Sequence, residues 1–247
     1  MHSALESVKS WTNAGLAFLY PELCQICEAA RAKPEEGFVC SECQSTVKPI
    51  KRPFCERCGF PYPGSISSTF KCSNCTDQLL YFESARSAVV AKDTMLEVIH
   101  RYKYNHALWF EPFLTQLLLK RARPELSAAD WDWIVPVPLH PAKEREREYN
   151  QAERLARPLS AATGIPLNTR VLRRDVPTQT QTWLSREERW ANVKGAFSLR
   201  RSDAVSGSRI VLVDDVFTTG ATTNACARAL KAGGAAQVCV WTLARGI

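Results

Sequence analysis

The chain has 247 residues, of which 45% are hydrophobic and 23% charged, which suits a globular protein with one medium domain and room for a small one. No apolar run approaches the roughly 20 residues needed to span a bilayer. Glu6, Lys9 and Asn13 interrupt Ala4 to Leu19, and no A-x-A site follows, so the pattern of a secretory signal is missing. The expected location is therefore cytoplasmic, with peripheral association at the inner membrane face left open. The formal charge is +7. It falls to about +3 if eight cysteines hold two Zn2+ ions as thiolates.

In chain order, residues 1–20 suit an amphipathic helix, with Leu5, Val8, Trp11, Gly15, Leu16 and Leu19 near one stripe. Residues 21–80 carry eight of the ten cysteines as four C-x-x-C pairs: Cys24/Cys27, Cys40/Cys43, Cys55/Cys58 and Cys72/Cys75. Two sulfurs at this spacing on a tight knuckle face one tetrahedral Zn2+, and a second knuckle completes a site of four thiolates. A cytosolic compartment argues against disulfides, and four copies argue against a redox C-x-x-C. Sequential pairing is preferred and cross-bracing stays open. With four thiolate ligands no coordination position is free, so both zincs are expected to be structural. Cys226 and Cys239 fall in core elements and read as small apolar residues.

Residues 81–247 alternate strand and helix. Strands are expected at Ser84 to Ala91, Trp133 to Val137, Leu167 to Leu172 and Gln237 to Leu243. Helices are expected at Met95 to Tyr104, Leu108 to Leu119 (with Leu117 to Leu119 well buried), Asn150 to Ala162 and Arg186 to Val193. This order predicts an α/β fold with a mainly parallel sheet and helices on both faces. Ligands of such sheets bind beyond the carboxyl ends of the strands. In V-P-V-P-L-H-P the prolines enforce extended backbone and expose the amides of Leu139 and His140. Lys143, Arg145 and Arg147 follow, alternating with Glu144, Glu146 and Glu148. On an extended loop these cations share one side, fit for a pyrophosphate; on a helix they form a solvated, self-paired face. Arg173 to Ser185, rich in Thr and Gln, is long and polar enough for a lid. Between Arg170 and Arg201 eight basic residues stand against three acids, an excess that attracts phosphates.

The segment from Val211, V-L-V-D-D-V-F-T-T-G-A-T-T, carries the sharpest signal. Ile210 to Val213 reads as a strand buried on both faces, expected to stop at the adjacent acids Asp214 and Asp215. Thr218, Thr219, Gly220, Ala221 and Thr222 are small residues that let backbone N–H groups converge at the start of a helix over Asn224 to Ala232. That makes an anion site beside two carboxylates.

This segment resembles the phosphoribosyl pyrophosphate (PRPP) signature of type I phosphoribosyltransferases. The resemblance implies that Asp214 and Asp215 meet the ribose hydroxyls and that residues 218–222 cradle the 5′-phosphate. Further motifs extend it: L-Y-P-x-x-C-x-x-C from Leu19, C-x-x-C-G-F-P-Y-P, H-R-Y-K-Y from His100, V-P-V-P-L-H-P, N-Q-A-E-R-L-A, T-Q-T-Q-T-W-L-S-R-E-E-R, N-V-K-G-A-F and the closing L-A-R. Together they resemble the ComF family, phosphoribosyltransferase-like proteins with an N-terminal double zinc ribbon associated with DNA uptake. The chain departs from that pattern at Glu148, where members commonly have Gly in R-G-F-N-Q, and at Trp183, where they often have a small residue.

The resemblance implies PRPP and Mg2+ as ligands. Asp214 and Asp215 are the catalytic candidates, Gln181 and Ser185 sit on the closing loop, and His140, Lys143, Arg145 and Arg147 meet pyrophosphate. No acceptor is legible. The competing expectation is an uptake accessory that binds single-stranded DNA, a competence helicase or another uptake protein, with Trp183, Trp190 and Phe197 stacking on bases among the cations.

Overall fold

The computed structural model describes residues 22–64, 72–76, 78–177, 185–200 and 205–247. The expected N-terminal helix, Gln181 and Trp183 lie outside them. In the cysteine region two short helices, α1 (Ser41–Ser45) and α2 (Ser73–Thr76), each begin beside the third C-x-x-C residue of a cluster. The α/β part then runs β1 (Ser84–Val90), α3 (Thr94–Tyr104), α4 (Glu111–Ala122), β2 (Trp133–Pro136), α5 (Pro141–Arg147), α6 (Gln151–Thr163), β3 (Leu172–Arg174), α7 (Arg186–Asn192), β4 (Phe197–Leu199), β5 (Arg209–Phe217), α8 (Ala221–Ala232) and β6 (Gln237–Arg245).

Four strands form a wholly parallel sheet in the order β1-β6-β5-β2. The period of two in β5 divides its aliphatic residues between two cores. Val211 and Val213 join Leu114, Leu118, Leu155 and Leu159 from α4 and α6. Ile210 and Leu212 join Cys226, Ala227 and Leu230 from α8. Leu118 is fully buried but Leu117 and Leu119 only partly, because the helix offers one face to the sheet. The strand expected at Leu167 to Leu172 starts later: Leu167 makes a single parallel bridge to Ile134, and Leu172–Arg174 pairs antiparallel with β4 as a ribbon separate from the main sheet.

The strand carrying the two acids does not stop at Asp214. Its pairing with β2 ends at Pro136–Val213, but its pairing with β6 continues through Asp214–Thr242 to Phe217–Arg245. The acids are therefore held by one rigid neighbour and open on the other side, beyond the end of β2.

The cysteine region lies along edge strand β1. Ile50 N–H donates to Ala88 (3.0 Å), Val90 N–H to Lys48 (2.9 Å) and Ala85 N–H to Arg57 (2.8 Å). It covers backbone that an exposed edge would leave unpaired. Contact at Gly59 is so close that a Cβ there would stand 2.7 Å from the Ala85 carbonyl oxygen, and its φ of +67° also favours glycine.

Candidate functional site

The eight expected cysteine ligands fall into two groups, Cys24/Cys27/Cys40/Cys43 and Cys55/Cys58/Cys72/Cys75, each with its sulfurs within 4.8 Å of one another. Pairing is thus sequential. Four sulfurs about 2.3 Å from one Zn2+ stand about 3.8 Å apart in a tetrahedron. The Cys27–Cys40 distance is 3.8 Å, Cys55–Cys75 3.9 Å and Cys58–Cys72 3.4 Å. Knuckle amides also point at sulfur: Cys40 N–H approaches Cys24 Sγ at 3.3 Å and Cys72 N–H approaches Cys55 Sγ at 3.3 Å. The donors fit two structural zinc ions.

A cleft of about 620 Å³ opens at the carboxyl ends of β2 and β5, beneath α3. Six of the sequence candidates line it: Lys143, Arg147, Asp214, Asp215, Thr218 and Thr222. Alternation along β5 sends the acids to opposite sides. Asp215, buried, meets the ammonium of Lys103 from α3 at 2.7 Å. Asp214 accepts the Asp215 amide (2.9 Å). Burial first, and then the charge of Asp215, raise the Asp214 carboxyl to about 7, against the pull of Lys103 and Arg174.

The phosphate-sized loop follows directly. Gly220 adopts φ +80°, and a Cβ there would meet the Phe217 ring at 2.4 Å, so only glycine lets the chain turn from β5 into α8 at this point. Thr219 Oγ1 accepts the Ala221 amide (3.3 Å) and Thr223 Oγ1 donates to the Gly220 carbonyl (3.1 Å). The amides at the start of α8 have no helix carbonyl to donate to, and Thr218 and Thr222 of this turn line the cleft. Thr219 turns instead toward a smaller cavity behind the loop.

The cation array differs from the extended loop expected at Lys143 to Arg147. That segment is helix α5, with Pro141 at its first position and His140 as its cap, Nδ1 accepting the Ala142 amide at 3.2 Å. Helical spacing puts Lys143 and Arg147, four apart, on the cleft side, while Arg145 is exposed and outside the cleft lining. His140 is likewise outside the lining. Arg147 is buried, lies 4.9 Å over the Tyr104 ring and donates to Gln151 Oε1 (3.1 Å). Glu148 ends the helix in the left-handed region (φ +65°), the conformation that suits the family's glycine, and its side chain is exposed toward His106. Ser185 is exposed and caps α7 in a reciprocal box with Glu188. It does not line the cleft.

Three cleft cations went unrecognised as such in the sequence. Lys103 lies within the H-R-Y-K-Y motif, which was its only signal. Arg174 and Arg189 were counted only within the phosphate-attracting basic stretch, and they line the cleft. Burial lowers the Arg174 guanidinium, with Asp214 among the charges that oppose this. Of the aromatics of the basic stretch that are described, Phe197 is buried beneath Arg174 and Trp190 packs against the core, so neither offers a stacking surface. Arg173 pairs with Asp175 at 2.8 Å.

A family model described as a double zinc ribbon domain matches residues 15–76, and one described as a phosphoribosyl transferase domain matches residues 150–247. Fold and site therefore define a phosphoribosyltransferase-type protein with an N-terminal double zinc ribbon. Competence protein F of Haemophilus influenzae is 32% identical over 227 residues, covering 85% of this chain and 97% of its own. The DNA utilization protein YhgH of Escherichia coli is 32% identical over 228 residues, covering 91% and 97%. Competence protein ComFC of Bacillus subtilis is 31% identical over 224 residues, covering 86% of each. The chain belongs to the ComF family of competence proteins. No helix among the described residues is long and apolar enough to cross a membrane.

Proposed function

We propose that the cleft binds PRPP and that the protein serves DNA uptake, in keeping with relatives named for competence and DNA utilization. The observation that carries the ligand is the juxtaposition of an acid pair on an open strand end with a glycine-turned helix start and cations on the facing walls. Phosphate at the loop would meet amide dipoles at Thr218 to Thr222. Asp214 and Asp215 would receive the ribose hydroxyls, with Lys103 releasing Asp215 as they enter. Lys143, Arg147, Arg174 and Arg189 would oppose the pyrophosphate charge. The hard carboxylate oxygens of Asp214 and Asp215 also suit Mg2+, which when bound would neutralise pyrophosphate oxygens. Such an arrangement stabilises charge on a departing pyrophosphate, the chemistry a phosphoribosyl transfer requires; the acceptor is not assigned.

The test is thermal denaturation of the zinc-loaded protein with PRPP and Mg2+. The melting temperature should rise with ligand concentration in the wild type and distinctly less in Asp215→Asn. No shift in the wild type, or an undiminished shift in the variant, contradicts the assignment. Single-stranded DNA is the competing ligand: if it binds, its affinity should fall steeply with salt, and insensitivity of that binding to Arg174→Ala would place DNA outside the cleft.

A further inference from the structure

Arg245 closes β6, and its side chain is only 2% accessible as a residue, yet it carries a permanent charge. Charges so buried need a partner. Among the described residues no carboxylate pairs with it. Its Nη1 donates instead to three carbonyls: Phe217 (2.9 Å) and Gly246 (3.2 Å), and that of Thr218 at shorter range. Its Nη2 lies 3.9 Å from Cys58 Sγ. The guanidinium lies 4.5 Å over Phe217 and 5.3 Å over Phe60, the residue two positions beyond Cys58. A cavity of about 80 Å³ lined by Cys58, Cys75, Thr218, Thr219 and Arg245 separates the cluster from the phosphate loop.

One side chain therefore touches both the second cysteine cluster and the two carbonyls where β5 becomes the phosphate loop. Four thiolates around Zn2+ carry a net charge of −2, which supplies the missing counter-charge. Neutral thiols would not. With the metal in place the guanidinium is held between cluster and loop, Nη2 toward Cys58 and Nη1 on the Phe217 and Thr218 carbonyls, which sets how the following peptide groups turn. Without it the cation loses its partner and the loop loses its brace. Among the described residues no cation reaches a sulfur of the first cluster, whose cysteines share a core with Val39, Met95, Phe110 and Phe113.

We propose that Arg245 is a positioning residue that couples the Cys55/Cys58/Cys72/Cys75 site to the phosphate loop, so that metal there organises the loop and ligand in the cleft retains that metal. The second half rests on the PRPP reading and follows from reciprocity of linkage: whatever factor metal adds to ligand affinity, ligand adds to metal affinity.

The test is site-resolved cysteine alkylation of the full zinc-loaded chain, read peptide by peptide, together with amide exchange across Phe217 to Thr222. Wild type, Arg245→Met (which keeps the apolar stem and removes the charge) and Arg245→Lys (which keeps the charge and loses the fork) are compared with and without PRPP and Mg2+. In R245M the second cluster should be alkylated roughly tenfold faster, within the range of ordinary coupling energies. Amides 218–221 should exchange faster, and the first cluster should be unchanged. R245K should fall between and show the same asymmetry, which keeps the test valid if R245M fails to hold two zinc ions. PRPP should protect the second cluster in the wild type and not in R245M. Equal acceleration at both clusters, or at neither, overturns the coupling. If R245M loosens the second cluster and the loop while PRPP protects nothing in the wild type, the strut stands and the PRPP assignment falls.

Discussion

The two cysteine clusters have identical ligands and opposite surroundings. In the first, Cys27 is exposed, and the cluster leans on helices α3 and α4. Arg101 donates to the Gln25 carbonyl, and Gly37 passes so close to Phe113 that a Cβ would clash at 2.8 Å. The second sits beneath Phe82 and Phe217 with Arg245 against Cys58. The same tetrahedral site thus serves as a surface clamp at one end of the ribbon and as part of the cleft's foundation at the other. Ligand chemistry alone does not tell these roles apart; the contacts around the ligands do.

The largest expected effect is the loss of one ligand from each site. Cys58→Ser removes a buried ligand shared with Arg245, and the whole fold should lose several kcal/mol, since binding free energy of structural zinc is folding free energy. Cys27→Ser should cost distinctly less, because its ligand is exposed and water can replace it. Melting temperatures and zinc content, measured side by side, check this, and equal losses would dissolve the contrast.

Next in size is the acid pair. Asp215→Asn removes the partner of Lys103 and an acceptor for a ribose hydroxyl, so PRPP affinity should fall by about 10- to 100-fold, or ~1.4–2.7 kcal/mol. Both zinc ions should remain. That separation, checked by calorimetry and metal analysis, would show that Asp215 serves the ligand and not the metal sites.

A smaller effect should appear with pH. Asp214 titrates near 7, well above the ordinary carboxylate value. Between that ordinary value and about 7 the folded protein holds a proton that the unfolded chain does not. This group's contribution to stability is therefore complete at low pH and declines as pH rises through that window. A ligand that needs the carboxylate should bind more tightly as pH rises from about 6 to about 8, and Asp214→Asn should flatten the profile. Titrations at several pH values check this; an unchanged slope in the variant would assign the pH dependence to another group.

The smallest effect is local. Glu148 holds φ +65°, so Glu148→Gly should stabilise the protein by about 0.5–1 kcal/mol and leave PRPP affinity unchanged, because its side chain is exposed away from the cleft. Denaturant midpoints of the two proteins decide it.

Much of the architecture was legible because its signals are local. The aliphatic run at Ile210 to Val213 marked the central strand, the C-x-x-C spacing marked the knuckles, and Gly220 marked the turn into α8. Where the sequence misled, tertiary pairing decided. Alternating charges at Lys143 to Glu148 fit either a strand-like loop or a helix, and Pro141 with the His140 cap selected the helix, which took Arg145 out of the cleft. Asp214 and Asp215 looked like a strand end only because the continued pairing with β6 cannot be read locally. Lys103, Arg174 and Arg245 act through partners 112, 40 and 187 residues away in sequence (Asp215, Asp214 and Cys58), distances at which periodicity carries no information.

The most direct test of the PRPP site and its brace is calorimetric titration of the zinc-loaded protein with PRPP in the presence of Mg2+. Saturable binding of one PRPP per chain, weakened about 10- to 100-fold in Asp215→Asn and also weakened in Arg245→Met, with both zinc ions retained, is the predicted result. Absence of binding by the wild-type protein, or binding that both variants preserve at wild-type strength, would contradict it.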